Sequence, residues 1–290
     1  MEKIRIGIVG FGNLGRACRQ LIEERTDDFE LAAVFGKHAG ENTLCIDDLE
    51  KYKGKIDVCL VCVGSKQDAP VIVPQIAANF NTVDSFDTHS KIKEYMNSIK
   101  PAGVSIVAAG WDPGLMSVIR IYFSGILTKG VTQSFWGPGV SMGHSNALKQ
   151  ISGVTEAIQF TVPNIKQNKH NRVCYVVAST KNHTKIRHTI LNMPDYFAGQ
   201  NVKVHFVSQT AFDKKFKNRS EHKGTVIAAD GDSRASFSLA MKNNAHFTAG
   251  VMLAYAIANY NLQKESKTGV FTAADIAPKY LFRRSIFDLL

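Results

Sequence analysis

Three glycines, Gly10, Gly12 and Gly15, stand in a G-x-G-x-x-G spacing directly after the apolar run Ile4, Ile6, Ile8 and Val9. Each has a mechanical reason. Gly10 permits a tight strand-to-helix turn, Gly12 lets the backbone approach a pyrophosphate, and Gly15 lets a helix pack closely on the strand. The diphosphate then rests on the free N–H groups of Asn13 and Leu14, where the helix dipole favours negative charge. Alone the spacing specifies little; between a strand and a helix it points to a dinucleotide. The end of the next strand, Glu30–Phe35, inspects the adenosine ribose. An acid there bonds the 2′-hydroxyl of NAD, and a cation accommodates the 2′-phosphate of NADP. The chain has Gly36, Lys37 and His38 and no carboxylate at that place, so NADP is the expected cofactor.

Carboxylates and aromatics recur at the mouths of buried strands. Gly64 and Ser65 follow the run 56–63, Asp87 and His89 follow 81–84, and Trp111 and Asp112 follow 104–109. A carboxylate beside a nicotinamide can hold a substrate ammonium and accept a proton as hydride leaves the neighbouring carbon. Asp84 reads as a turn or cap residue. Asp112 before Pro113 fits a helix N-cap, a role compatible with catalysis.

These loops need a frame that brings strand ends together. Strands over 4–9, 30–35, 56–63, 81–84 and 104–109, alternating with helices, predict an α/β fold: a Rossmann-type, doubly wound parallel sheet with its ligand crevice at the carboxyl ends. The pattern changes after a helix over 117–127. A Gly-rich turn around Trp136, Gly143 and His144 leads to period-two strands at 157–162, 172–178 and 200–207, which predict a second, α+β domain on a mixed or antiparallel sheet. A long apolar helix over 247–262 leads back to the first domain. The expected boundaries are 1–115 for dinucleotide binding, 116–246 for the second domain, and 247–290 packing back onto the first.

Composition narrows the class. The 290 residues are 44% hydrophobic and 21% charged, as in globular proteins, and no apolar run reaches membrane-spanning length. The strand at the N-terminus leaves no room for a signal peptide, and five cysteines suit a reducing, cytoplasmic compartment. Cys59 and Cys62 lie inside an apolar strand and read as buried residues, not metal ligands; no metal is expected. The net charge of +10 is scattered and reads as a solvated surface, with neither nucleic acid nor membrane as partner.

Ile-Val-Gly-Phe-Gly-Asn-Leu-Gly-Arg at 8–16, Gly-Trp-Asp-Pro-Gly at 110–114, Phe-Trp-Gly-Pro-Gly at 135–139, Gly-His-Ser at 143–145, Met-Pro-Asp-Tyr-Phe at 193–197 and Phe-Thr-Ala at 247–249 together resemble the meso-diaminopimelate dehydrogenases. The resemblance spans essentially the whole chain. It implies NADP-dependent oxidative deamination at the D-centre of meso-2,6-diaminopimelate, giving L-2-amino-6-oxopimelate (tetrahydrodipicolinate) and ammonia, a step towards lysine and cell-wall precursors. It also implies a homodimer whose second domain serves dimerisation and substrate binding. Asp87, Trp111 and Asp112 would face the reacting centre, with Trp136, Met142 and the Gly143 backbone near it. Thr161, Arg172, His222 and Asn244 would hold the distal centre, and Arg172 suits a bidentate clamp on its carboxylate. His222 falls in a stretch that reads as a variable loop.

The chain departs from the family pattern at two places. Gly36-Lys37-His38 replaces the usual Ser-Arg-Arg, which predicts weaker discrimination for NADP. Met142 stands where glutamine is common, which leaves open a broad-specificity D-amino-acid dehydrogenase. A non-catalytic NADP-binding protein of the same fold is the alternative of a different class.

Overall fold

In the computed structural model, which describes residues 2–194 and 196–290, the N-terminal isoleucines form an interior strand of a sheet. β1 (Ile4–Val9) leads through Gly10 into α1 (Asn13–Glu24), and β2 (Phe29–Gly36) returns parallel to β1. The chain continues through β3 (Leu44–Cys45), β4 (Val58–Val61), α2 (Ala69–Ala77), β5 (Thr82–Asp84), α3 (Ile92–Ser98), β6 (Val104–Val107) and α4 (Leu115–Ile126). It then builds β7 (Val131–Trp136), β8 (Gly139–Val140), α5 (Met142–Lys149), β9 (Val154–Asn164), β10 (Lys169–Ala178), α6 (His183–Leu191), β11 (Asn201–Phe206), α7 (Gln209–Lys215), β12 (His222–Asp230) and β13 (Ser233–Met241). Last come α8 (Asn244–Lys264) and β14 (Gly269–Thr272). Two compact units result: Met1–Ile121 with Ala245–Leu290, and Tyr122–Asn244.

The first unit holds one sheet in the order β14-β6-β5-β4-β1-β2-β3, with every neighbouring pair parallel. The chain works outward from β1 to β3, then restarts at β4 on the other side of β1. The crevice at that reversal lies outside the carboxyl ends of β1 and β4. Both faces are covered. Ile4, Ile6, Ile8, Val58, Leu60 and Ile106 pack against Cys18 and Ile22 of α1 and Met252 and Leu253 of α8. Val9, Phe35, Cys59, Val61 and Val107 pack against Val73 and Ile76 of α2 and Tyr95 of α3. This two-sided burial explains why the strands read as continuous apolar runs. Helix α8 is buried on several sides, and its fully buried Asn259 donates to Thr82 O at 3.0 Å and Val104 O at 3.1 Å.

The second unit has a mixed sheet, β11-β10-β9-β8, and an antiparallel one, β13-β12-β7. Strand β10 pairs antiparallel with β9 and parallel with β11. Leu148 of α5 and Ile186 and Ile190 of α6 cover Ala157, Cys174, Val176 and Val204.

Two local expectations change. The strand expected over 104–109 stops at Val107, and Ala108 turns the backbone with a φ of +54°. His222 is not in a loop; it is the buried first residue of β12, paired with Met241. The signal for that strand was Gly231-Asp232, a dipeptide typical of tight hairpins, and Gly231 takes a φ of +55° between β12 and β13. Among the described residues no helix is long and apolar enough to cross a membrane.

Candidate active site

The glycine turn forms a cradle for a dinucleotide. Gly10 has a φ of +93°, and a Cβ there would stand 2.8 Å from Cys62 O. A Cβ on Gly15 would run into Gly10 O, so helix and turn meet with no room between them. Gly12 differs: nothing lies within 4 Å of the position a Cβ would take. That open face, at the residue preceding α1 and its unbonded N–H groups, fits a pyrophosphate. Gly64 and Ser65 follow β4 across the switch from β1, and Gly64 O accepts from Asp68 N at 3.1 Å.

A cavity of about 380 Å³ opens at the end of β2, lined by Phe11, Arg16, Gly36, Glu41, Asn42 and Thr43. Lys37 and His38 follow Gly36 and are exposed. Arg16 lies with its guanidinium carbon 4.6 Å from the centre of the Phe11 ring. The cavity therefore has a cation of its own, Arg16, supplied by the first turns of α1, besides the exposed Lys37 that follows Gly36. It also has a carboxylate, Glu41, that inspection of residues 36–38 missed. Arg16 directly follows the third glycine, which was the available signal.

The two expected catalytic carboxylates sit on loops of the first unit. Asp112 has a fully buried side chain, and its Oδ1 accepts from Arg120 Nη2 at 2.6 Å. His89 Nε2 lies 3.8 Å from its Oδ2. Helix α4 begins only at Leu115, so Asp112 does not serve as its N-cap. Instead the tight turn at Gly114, where a Cβ would strike Gly110 O, presents Asp112 to Arg120 one helical turn into α4. Trp111 is partly buried, and its carbonyl accepts from Met116 N at 3.0 Å.

Asp87 is exposed as a residue, but protein crowds its carboxyl. That desolvation raises its proton affinity, against a hydrogen bond from Ser65 and the charge of His89. Ser65, expected at the cofactor, thus also steadies Asp87. Below them Asp84 is buried at the end of β5, and burial pushes its carboxyl up to about 6 against three hydrogen bonds that favour the anion.

The second unit holds a half-buried cation. Arg172 on β10 faces Thr161 on β9 in register, and its Nη1 donates to the Thr161 hydroxyl at 2.6 Å. Its Nε donates to Gln200 Oε1 at 2.7 Å, and Gln200 is held in turn by Tyr196 O at 2.9 Å. Burial weakens the hold of Arg172 on its proton, and among the described residues no carboxylate pairs with it. Three imidazoles feel its charge. Burial first, then Arg172, pulls His144 down to about 4 and lowers His170. His222 is lowered by burial, with Arg172 adding and a bond to Lys223 O opposing. Imidazoles of lowered proton affinity near a half-buried guanidinium suit an anionic ligand group.

Trp136 ends β7; its backbone N–H donates to His170 Nε2 at 3.0 Å, and the two rings lie 5.0 Å apart. His170 and Gln200 escaped the sequence reading, although His170 precedes Arg172 by two residues and so shares its face of β10. Met142 is 37% exposed, and Met142 and Gly143 open α5. Asn244 opens α8. Asp195 of the Met-Pro-Asp-Tyr-Phe stretch lies outside the described residues.

A family model described as the diaminopimelic acid dehydrogenase C-terminal domain matches residues 110–243. The meso-diaminopimelate D-dehydrogenase of Acetivibrio thermocellus is 38% identical over 326 residues, covering 100% of this chain and 97% of that protein. The enzyme of that name from Corynebacterium glutamicum is 34% identical over 319 residues, covering 100% and 99%. Among solved structures, a C. glutamicum DAP dehydrogenase in complex with DAP superposes with a TM-score of 0.94 at 32% identity, over 100% of this chain and 98% of that one. An engineered D-amino acid dehydrogenase bound to NADP+ superposes with a TM-score of 0.89 at 31% identity, over 99% and 98%.

Proposed function

The chain belongs to the meso-diaminopimelate dehydrogenase family, and we propose how its own residues divide the work. The reaction is the NADP-dependent oxidative deamination of meso-2,6-diaminopimelate at its D-centre. Water is consumed; L-2-amino-6-oxopimelate, ammonia, NADPH and a proton are formed. NADP supplies the hydride acceptor, and the open face at Gly12 with the cavity beside Arg16 and Lys37 holds its diphosphate and 2′-phosphate.

Asp87 and Asp112 hold the ammonium of the reacting centre and orient its C–H bond, which is the main task left to the protein. Asp112 is kept in place by Arg120. Asp87, with raised proton affinity and a path to solvent, takes the proton that the ammonium gives up. Trp111 shields the centre from water. In the second unit Arg172 and Thr161 bind the distal carboxylate, with His222 and Asn244 at the distal ammonium end. Trp136, Met142 and the Gly143 backbone complete the substrate contacts. The observation that carries this reading is Arg172, a desolvated cation with hydroxyl and amide partners and, among the described residues, no carboxylate against it.

The second unit also serves dimerisation; its exposed apolar Tyr122, Ile126 and Val131 support a homodimer, which sedimentation would test. Five free cysteines support a reducing, cytoplasmic setting. The deciding experiment follows NADPH formation on adding meso-diaminopimelate, with the L,L isomer and NAD as controls. Turnover of the meso form with NADP preferred is expected. Equal turnover of unrelated D-amino acids, such as D-alanine, would instead establish the broad-specificity alternative.

A further inference from the structure

Asp84 is a buried carboxylate that the reaction does not touch, yet its bonds reach both loops that carry the reacting groups. Its Oδ1 accepts from Phe86 N at 2.8 Å and from Ala108 N at 3.2 Å. Its Oδ2 accepts from Tyr95 Oη at 2.9 Å, and its backbone carbonyl accepts from Ala109 N at 2.8 Å. Phe86 immediately precedes Asp87, and Ala108 and Ala109 lead into Gly110, Trp111 and Asp112. One oxygen atom thus ties the roots of the two loops to a common point.

The surroundings make that point rigid. Asp84 is 1% exposed, and Tyr95 is buried with its ring stacked on Phe86 at 4.1 Å. Ala108 holds a φ of +54°, a left-handed conformation that is unfavourable for an L-residue and persists only where neighbours impose it. The bond from its N–H to Asp84 is such an imposition. A turn or cap would need one of these bonds; a bond to each loop from the same oxygen does more.

We propose that Asp84 is a positioning residue that sets the distance between Asp87 and Asp112 through the backbone of their loops. This rests on the reading that those two carboxylates flank the reacting centre. Asparagine is the conservative replacement: its Oδ1 accepts from both amides, and its Nδ2 donates to Tyr95 Oη. Alanine removes the tie.

The test compares Asp84→Asn and Asp84→Ala on meso-diaminopimelate carrying protium or deuterium at the D-centre, with NADP affinity measured by fluorescence titration. Misplaced carboxylates slow the chemical step itself, and displacements near 1 Å cost about 100-fold. Asp84→Ala is therefore expected to lose about 100-fold in kcat, with a larger deuterium effect on kcat and NADP affinity within about threefold of wild type. Asp84→Asn should stay within about fivefold. A structural loss alone lowers the active fraction and leaves the isotope effect unchanged, and that result overturns the proposal. So does an unimpaired Asp84→Ala, or an Asp84→Asn as damaged as Asp84→Ala. If the alanine variant does not fold, Asp84→Ser, too short to span both amides, carries the same comparison. Asp87→Asn and Asp112→Asn run alongside. Wild-type turnover in both removes the underlying reading; loss in both beside an unaffected Asp84→Ala removes the inference alone.

Discussion

Replacing Arg172 by alanine probes the distal end of the site with an internal control. In the free protein the guanidinium spends Nη1 on Thr161 and Nε on Gln200, and its charge meets no carboxylate among the described residues. A hydrogen bond to a charged group contributes about 1.5–3 kcal/mol, and truncating one member of a buried charge pair costs about 2–5 kcal/mol. Arg172 is only half-buried, and the Thr161 hydroxyl survives the substitution, so about 3 kcal/mol is the expected loss. At 1.36 kcal/mol per tenfold, that is about 150-fold in kcat/KM. The group is remote from the reacting carbon and binds ground and transition states alike, so the loss should fall mainly on KM. Initial rates of NADPH formation give both constants, and titration should find NADP affinity unchanged. D-Alanine has no distal carboxylate, so whatever rate it shows in the wild type should persist in Arg172→Ala. An unchanged KM for meso-diaminopimelate, or an equal loss with D-alanine, refutes the distal-carboxylate role.

Two glycine substitutions should fail differently. Gly12→Ala meets nothing within 4 Å and should keep the melting temperature of the apoprotein while losing about 100-fold or more in NADP affinity. Gly15→Ala drives a Cβ into Gly10 O and should lower the melting temperature itself; calorimetry separates the two, and similar melting curves would contradict the cradle. Lys37→Ala should weaken NADP about tenfold and NAD hardly at all, and equal effects in binding titrations would remove Lys37 from the 2′-phosphate site. His144 titrates about 4 in the fold against 6.5 unfolded, so between these values the unfolded chain binds more protons. Its contribution is full above about pH 6.5 and fades as the pH falls toward about 4. From about pH 7 to about pH 4.5 the wild type should lose roughly 2 kcal/mol more unfolding free energy than His144→Phe. Asp84, raised in the fold, titrates in both proteins with the opposite sign, so only their difference is diagnostic; parallel pH profiles would refute the assignment.

Much of the first unit was legible because its signals are local. A strand, three glycines and a helix start lie within fifteen residues, and Gly15 answers a contact that its sequence neighbour Gly10 creates, although the contact that Gly10 answers comes from Cys62 on another strand. Asp87 and Asp112 could be singled out as candidates because a doubly wound sheet collects its strand ends on one edge, whatever the detail of the loops. The second unit was harder to read. His222 belonged to a hairpin marked only by Gly231-Asp232, and the bonds of Arg172 to Thr161 and Gln200 depend on strand register and on a turn far along the chain.

The sequence by itself determined the fold class, the cofactor cradle and the side chains that carry charge, since period, turn chemistry and residue type follow from neighbouring residues. Tertiary structure alone decided which groups those charges meet: Arg16 over Phe11 in the cavity at the end of β2, Arg120 on Asp112, and buried histidines within reach of the charge of Arg172. It also turned Asp84 from an apparent cap into the tie between two loops. The physical reason is distance along the chain. Residues 84 and 108 have no local interaction that would bring them together; parallel pairing of their strands on a shared core does so, and that pairing is a property of the whole sheet.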